Sequence, residues 1–316
     1  MNEDVTRQAT GKLFGDLWHR YDNDLFEQSV NLFAMRFEAN GWDLNWFKGK
    51  RCLDVGCGGG RYTIAMARLG AEEAIGVDIS VSGLADANRR AQNIPNARFV
   101  EGSALDLPFE DNSFDFVVCS GVLHHTPNAE KGARQIFRVL KPGGKVYFLL
   151  YGTGGLRWPT IMQIRPFAQK VGYDVIDQAM KLADLPANKQ RTFLDDFFVP
   201  LIDFYDWERV QNLLEPVGFT GLERWTKGKL DHESSVEVQR TELQQLFDLF
   251  NLAAQQNVAP YPAHRVAFEA ARTTAESALQ TLDDAVANHK TGVIDQAEHN
   301  DIIFGWGHHR VTAVKP

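Results

Sequence analysis

Arg51-Cys52-Leu53-Asp54-Val55-Gly56-Cys57-Gly58-Gly59-Gly60 is the stretch from which the fold of this chain is read. A short apolar run ends at Gly56, three further glycines follow, and a helix-like pattern over Tyr62–Leu69 comes directly after. A chain turning sharply from a buried strand into a helix needs residues without Cβ, because side chains clash there and positive φ is required. Bare backbone also lets a ligand approach, next to helix N–H groups that lack an intrahelical partner. Taken alone, the turn is weak evidence for one ligand, since dinucleotide folds use a similar one; a tight bend without a ligand is the lesser alternative. The dinucleotide spacing Gly-x-Gly-x-x-Gly fails from Gly56, because position 61 is Arg, and this disfavours a nicotinamide dehydrogenase.

Working outward, Glu73–Asp78, Ala97–Glu101, Phe114–Cys119 and Lys145–Leu150 are further apolar runs bounded by Gly, Pro, Asp or Asn, as buried parallel strands are. Leu84–Ala91 has helical spacing. So do Ala129, Ala133, Ile136, Phe137 and Leu140, which precede the stop signal Lys141-Pro142-Gly143-Gly144. This alternation predicts βαβ units and an open α/β sheet with helices on both faces. Phe14–Phe37 reads as one or two amphipathic helices, and Tyr151–Tyr205 as irregular and aromatic. Trp207–Leu214 is a helix stripe, Phe219–Trp225 a sixth strand, and His308–Val314 a last one.

Across its 316 residues the chain is 44% hydrophobic and 23% charged, the balance of a soluble globular protein, with a net charge of −8. Asp231–Asp301 holds twelve Asp/Glu against four Lys/Arg and so carries the whole excess. No basic stripe is available to neutralise phosphates, so nucleic acid is not an expected partner. No apolar run approaches the ~18–20 residues of a membrane span. Met1–Arg20 is polar throughout, without a secretion signal, and a cytoplasmic location is expected. Cys52, Cys57 and Cys119 form neither a disulfide framework nor a metal spacing, so no metal is expected.

Four more pieces follow the glycine turn. Asp78 closes the second strand, where a carboxylate can accept hydrogen bonds from both hydroxyls of a ribose; it can equally cap a helix. Gly102-Ser103-Ala104-Leu105-Asp106-Leu107-Pro108-Phe109 follows the third strand. Phe114 to Cys119 leads into Ser120-Gly121-Val122-Leu123-His124-His125, and Leu140-Lys141-Pro142-Gly143-Gly144 precedes the fifth strand. In this order the pieces closely resemble the class I S-adenosylmethionine-dependent methyltransferases, particularly those acting on quinones and other small molecules. The resemblance is dense over Gly49–Tyr151 and weaker over Trp207–Trp225 and the final strand.

It implies a Rossmann-like seven-stranded sheet, mostly parallel with the last strand antiparallel, helices on both faces and helical insertions. The expected parts are an N-terminal helical lid (1–48), the cofactor-binding core (49–151) and an insertion capping the substrate (152–206). A core helix and sixth strand (207–225), an acidic helical insertion (226–304) and the last strand (305–316) complete it. The cofactor implied is S-adenosylmethionine, leaving as S-adenosylhomocysteine. Asp54 and the backbone of Gly56, Gly58 and Gly60 would hold its methionine portion, Asp78 the ribose and Ile79 the adenine. Ser103 and Ala104 stand where the family usually has Asp-Ala at the adenine edge. Serine there lacks the charge that strengthens such a bond, and Asp106 is a nearby substitute out of register. Cys119 and Ser120 would face the methionine end.

A sulfonium methyl is already activated, so the enzyme's main task is alignment, aided by a base where the acceptor must lose a proton. His125, and less directly His124, are the candidate bases, against the alternative that each merely fixes its loop. Trp18 and Tyr21 are candidate lid residues over the cofactor, and Tyr151 and Arg157 candidate substrate contacts. Asp195 and Asp196 read best as a solvated face, and His308 and His309 as parts of an alternating strand. The expected reaction is in-line methyl transfer to a small molecule in an enclosed pocket, with oxygen slightly favoured as acceptor. Macromolecule methylation and a non-catalytic cofactor-binding module are the alternatives.

Overall fold

The computed structural model describes residues 3–18, 21–226, 235–255 and 261–316. Its core is a seven-stranded sheet built from β1 (Arg51–Val55), β2 (Glu73–Asp78), β3 (Ala97–Glu101), β4 (Phe114–Ser120), β5 (Leu140–Tyr151), β6 (Thr220–Arg224) and β7 (His308–Val314), in the order β3-β2-β1-β4-β5-β7-β6. Neighbours from β3 to β5 pair in parallel, while β7 runs antiparallel to both β5 and β6. This is the open α/β sheet predicted by the alternation, in the seven-stranded Rossmann-like form that the resemblance implied.

Side chains alternate across the sheet, so both faces need cover. Leu53, Val55, Ile75, Val77, Val117 and Phe148 enter one core with α5 (Ala129–Val139) and α9 (Trp207–Leu214). Cys52, Ala74, Phe116, Val118 and Tyr147 enter the other with α2 (Asn23–Ala39) and α3 (Arg61–Arg68). Short polar side chains start several of these helices by accepting a free N–H. Asn128 Oδ1 accepts from Lys131 N–H at 2.8 Å, and Ser80 Oγ accepts from Gly83 N–H at 3.2 Å to open α4 (Val81–Arg90). The amphipathic N-terminal stretch divides into α1 (Glu3–Trp18) and α2, with Asp22 capping the second.

Two sequence expectations need correction. Lys141-Pro142-Gly143-Gly144 does not separate helix from strand, because β5 already begins at Leu140, which pairs with Phe114. The glycines are held as strand by Lys315: Gly143 N–H donates to its carbonyl at 2.7 Å, and its own N–H donates to Gly144 O at 3.0 Å. Nor is the segment after β5 irregular, since it forms α6 (Arg157–Val171), α7 (Tyr173–Leu182) and α8 (Ala187–Phe198). Gly152, Gly154 and Gly155 precede α6, and Pro159 lies in its first turn, where a missing N–H costs no helical bond.

The chain separates into two units. The first comprises Met1–Gly152, Pro200–Gly228 and His308–Pro316, and contains the sheet. The second comprises Thr153–Val199 and Lys229–Gly307, so the two insertions read separately from the sequence pack together as one helical body. There α6, α7 and α8 join α10 (Val236–Gln255), α11 (Pro262–Lys290) and α12 (Gln296–Ile303). The buried face of α11 is mostly alanine, with Ala267, Ala271, Ala275, Ala278 and Ala285 around Phe268 and Leu282. The Trp18 side chain, and residues 227–234 where the acidic insertion starts, lie outside the described residues.

Candidate cofactor and catalytic site

The strand order reverses between β1 and β4, so the loops leaving their carboxyl ends diverge and open a crevice, the usual ligand position in such sheets. The loop from β1 has φ of +71° at Gly56, +51° at Gly58 and +85° at Gly60. A Cβ on Gly56 would stand 2.3 Å from the Val122 side chain, and one on Gly60 would stand 2.7 Å from the Phe99 ring. Packing and backbone conformation therefore both demand glycine at these positions. Gly58 N–H donates to Asp78 Oδ2 at 2.8 Å and Ser80 N–H donates to Asp78 Oδ1 at 2.7 Å. Asp78 thus ties the glycine turn to the start of α4, and each of its oxygens keeps a lone pair for a further donor. Burial pushes its carboxyl above the usual range, against the backbone N–H groups of Gly58, Ser80 and Ile79.

Asp54 is 3% exposed, and its Oδ2 accepts from Thr63 N–H at 3.0 Å and Thr63 Oγ1 at 2.9 Å. Burial dominates its titration and pushes the carboxyl up to about 7. Beside Asp78, a cavity of about 660 Å³ is bounded by Gln8, Gly11 and Lys12 of α1, by Ile79, and by Glu101 and Ser103 at the end of β3. Helix α1 lies close here, for a Cβ on Gly11 would touch Ile79 at 3.4 Å. Ser103 Oγ accepts from Leu105 N–H at 3.1 Å, whereas Asp106 is exposed and does not line the cavity. Ala104 packs against the first core instead. Ser120 ends β4 at the crevice, while Cys119 is buried in the core, which raises its thiol pKa.

Beyond β4, Leu123–His125 forms one 3-10 turn that buries both histidines. His125 Nδ1 lies 2.8 Å from Leu201 O. A carbonyl only accepts, so Nδ1 carries the proton and Nε2 is the basic nitrogen of the neutral ring. His124 has the opposite tautomer: its Nδ1 accepts from Tyr151 N–H at 3.4 Å, which leaves the proton on Nε2. Its ring stacks on Tyr151 with centroids 3.8 Å apart, and burial holds its pKa well below the ordinary value, so it stays neutral. Phe14 of α1 meets the His125 ring at 5.5 Å. Among the described residues no group of three or more His, Cys, Asp or Glu is placed to hold a metal ion.

Residues 53–148, which contain the glycine turn, Asp78, Ser103 and both histidines, match the family model described as a methyltransferase domain. Over that stretch the chain is similar to methyltransferase domains. Its sheet order and antiparallel last strand are those of the Rossmann-like methyltransferase fold. Among curated proteins, a demethylmenaquinone methyltransferase of Staphylococcus aureus is 38% identical over 109 residues, 34% of this chain and 45% of that one. The chain therefore spans less than half the length of the curated relatives it matches. A solved structure of a Haemonchus contortus phosphoethanolamine N-methyltransferase, in complex with phosphomonomethylethanolamine and S-adenosylhomocysteine, shares the fold. It has a TM-score of 0.50 and 20% identity, covering 99% of this chain and 59% of that one.

Several residues singled out from the sequence sit elsewhere than expected. Tyr21 does not line the cavity beside the domain's second strand; it packs against the second core, and its carbonyl accepts from Arg90 at 2.9 Å. Arg157 is not presented to a substrate. It is buried in the helical unit, where it pairs with Asp196 and, at 2.6 Å, with Glu242 of α10. Asp195 and Asp196 are correspondingly buried and not a solvated face, and burial raises both carboxyl pKa values. Amphipathic spacing could not foresee this, because the partner carboxylate arrives from a distant insertion. His308 and His309 are both buried, with His309 Nε2 2.7 Å from Tyr205 O, because β7 is covered on both faces. The sequence reading missed Gln8 and Phe14 of α1, Thr63 and Leu201. Thr63 alone left a local signal, as a hydroxyl in the first turn of the helix after the glycines.

Proposed function

We propose that this protein transfers the methyl group of S-adenosylmethionine to a small-molecule acceptor bearing an ionisable hydroxyl, and releases S-adenosylhomocysteine. The crevice at the carboxyl ends of β1 and β2 carries this reading: a glycine turn whose N–H is fixed to a carboxylate that keeps unused lone pairs, beside a cavity of about 660 Å³. These residues fit the cofactor. Asp54 and the backbone of Gly56, Gly58 and Gly60 would hold its amino-acid portion, Asp78 its ribose hydroxyls, Ile79 and Ser103 its adenine, with Ser120 towards the methionine end. When bound, it supplies an electrophilic methyl on a sulfonium.

The chain's own contribution is alignment and proton removal. Orientation of an acceptor is worth roughly 7–11 kcal/mol at best. His125, held in one tautomer by Leu201, would act through Nε2 as the base for the acceptor hydroxyl, a role worth about 10²–10⁴-fold. Neutral His124 and Tyr151 form its stacked support. The likeness to a demethylmenaquinone methyltransferase supports a ring-bearing acceptor, and attack through oxygen or through an enolate carbon begins with the same deprotonation. Among the described residues no helix is long and apolar enough to cross a membrane.

Calorimetric titration with S-adenosylhomocysteine and with NAD tests the cofactor, and labelled methyl transfer to a panel of phenols and hydroxyquinones tests the reaction. Binding of the nucleoside thioether, no binding of NAD and label in an organic product are expected. Binding of NAD alone would overturn the assignment, and binding without transfer to any acceptor class would favour a non-catalytic module.

A further inference from the structure

We infer that Gln8 of the N-terminal helix reads the edge of the adenine ring, and so makes α1 part of the cofactor-selecting machinery. The inference rests on the cofactor assignment above and goes beyond it, since nothing in the glycine turn or in Asp78 distinguishes one base from another. The cavity beside Asp78 has Ile79 as an apolar surface for a flat ring, and six side chains with polar groups: Gln8, Lys12, Ser80, Ser82, Glu101 and Ser103, of which Ser80 and Ser82 bond one another across 3.3 Å at the start of α4. An adenine edge presents a donor, the 6-amino group, next to an acceptor, a ring nitrogen.

Matching that edge takes an acceptor and a donor side by side. Ser103 Oγ already accepts from Leu105 N–H at 3.1 Å, which ties the hydroxyl to its own turn. Lys12 only donates, and Glu101 only accepts. The Gln8 carboxamide offers both groups in one plane, the arrangement by which Asn and Gln recognise adenine elsewhere. Asp106, the other acidic group nearby, is exposed and outside the cavity. The adenine contact weakened by serine at position 103 is thus supplied from α1, a helix far away in sequence.

The test compares S-adenosylhomocysteine with its counterpart lacking the 6-amino group, by calorimetric titration of the full chain. The wild-type protein is expected to prefer the amino-bearing ligand by about tenfold, the worth of one or two hydrogen bonds. In Gln8→Ala, a substitution that favours helix and so preserves α1, the amino-bearing ligand weakens by about tenfold and the preference disappears. Gln8→Glu keeps an acceptor for the amino group and retains the preference, as does Lys12→Met. Full preference in Gln8→Ala, or its loss in Lys12→Met, would overturn the inference while leaving the cofactor assignment intact. Failure of the wild-type protein to bind either ligand would instead remove the assignment on which it rests.

Discussion

Asp54→Asn separates what the glycine-turn region does for function from what it costs in stability. In the folded protein the Asp54 carboxyl is pushed by burial from 3.8 up to about 7. A carboxyl raised in this way binds its proton more tightly folded than unfolded, so stability falls as pH rises from the unfolded pKa to the folded one, and the loss is complete above about 7. With those two values, the penalty grows by about 2.5 kcal/mol between pH 5 and pH 8. Asparagine cannot ionise, yet its Oδ1 still accepts from the Thr63 N–H and hydroxyl that now meet Asp54 at 3.0 and 2.9 Å. Urea unfolding of both proteins at the two pH values is the assay. Buried carboxylates remote from Asp54 contribute equally to both proteins and cancel in the comparison, while Asp78, whose charge reaches Asp54, adds a smaller change of its own. Relative to wild type, the variant should gain about 2.5 kcal/mol on going from pH 5 to pH 8. It should also bind S-adenosylhomocysteine more weakly, having lost the charge that faces a cationic amino-acid tail. Identical pH dependence in the two proteins would refute the reasoning.

Three further outcomes follow from the geometry. His125→Ala should lower turnover by about 10²–10⁴-fold while leaving S-adenosylhomocysteine affinity nearly unchanged; unaltered single-turnover rates would remove it as the base. Gly56→Ala forces a Cβ to 2.3 Å from Val122 at a φ of +71°, so cofactor binding and thermal stability should fall together. Val122→Ala in the same chain should restore only part, because the backbone strain stays; full restoration would show that the side-chain clash was the whole effect. Arg157→Met leaves Asp196 buried without its ion-pair partner and Glu242 with Lys189 alone, and should cost about 3–5 kcal/mol in urea unfolding. Combining it with Asp196→Asn and Glu242→Gln should recover most of that loss, and a triple variant no more stable than the single one would contradict the assigned ion pairs.

The helical unit shows why burial of charge is hard to foresee. Arg157 stands at the start of a helix after three glycines and looks available, yet Asp196 and Glu242 close on it from α8 and α10. Pairing so remote has no periodicity to betray it. The same holds for Gln8, whose helix had weak apolar spacing ahead of Phe14 and whose cavity partners come from β2 and β3.

Much about the core was nonetheless legible in one dimension. Buried parallel strands are apolar throughout and sharply bounded, so strand positions and the glycine turn follow from local chemistry. The reversal of order between β1 and β4 puts their loops at one crevice, so the glycine turn after β1 and the histidine pair after β4, both visible in the sequence, stand on its two sides. Tertiary structure alone decided what each of those groups touches. Thr63 occupies Asp54, Leu201 selects the tautomer of His125, and Tyr151 selects that of His124. Those partners arrive through folding of distant segments, and burial then sets how tightly each group holds its proton.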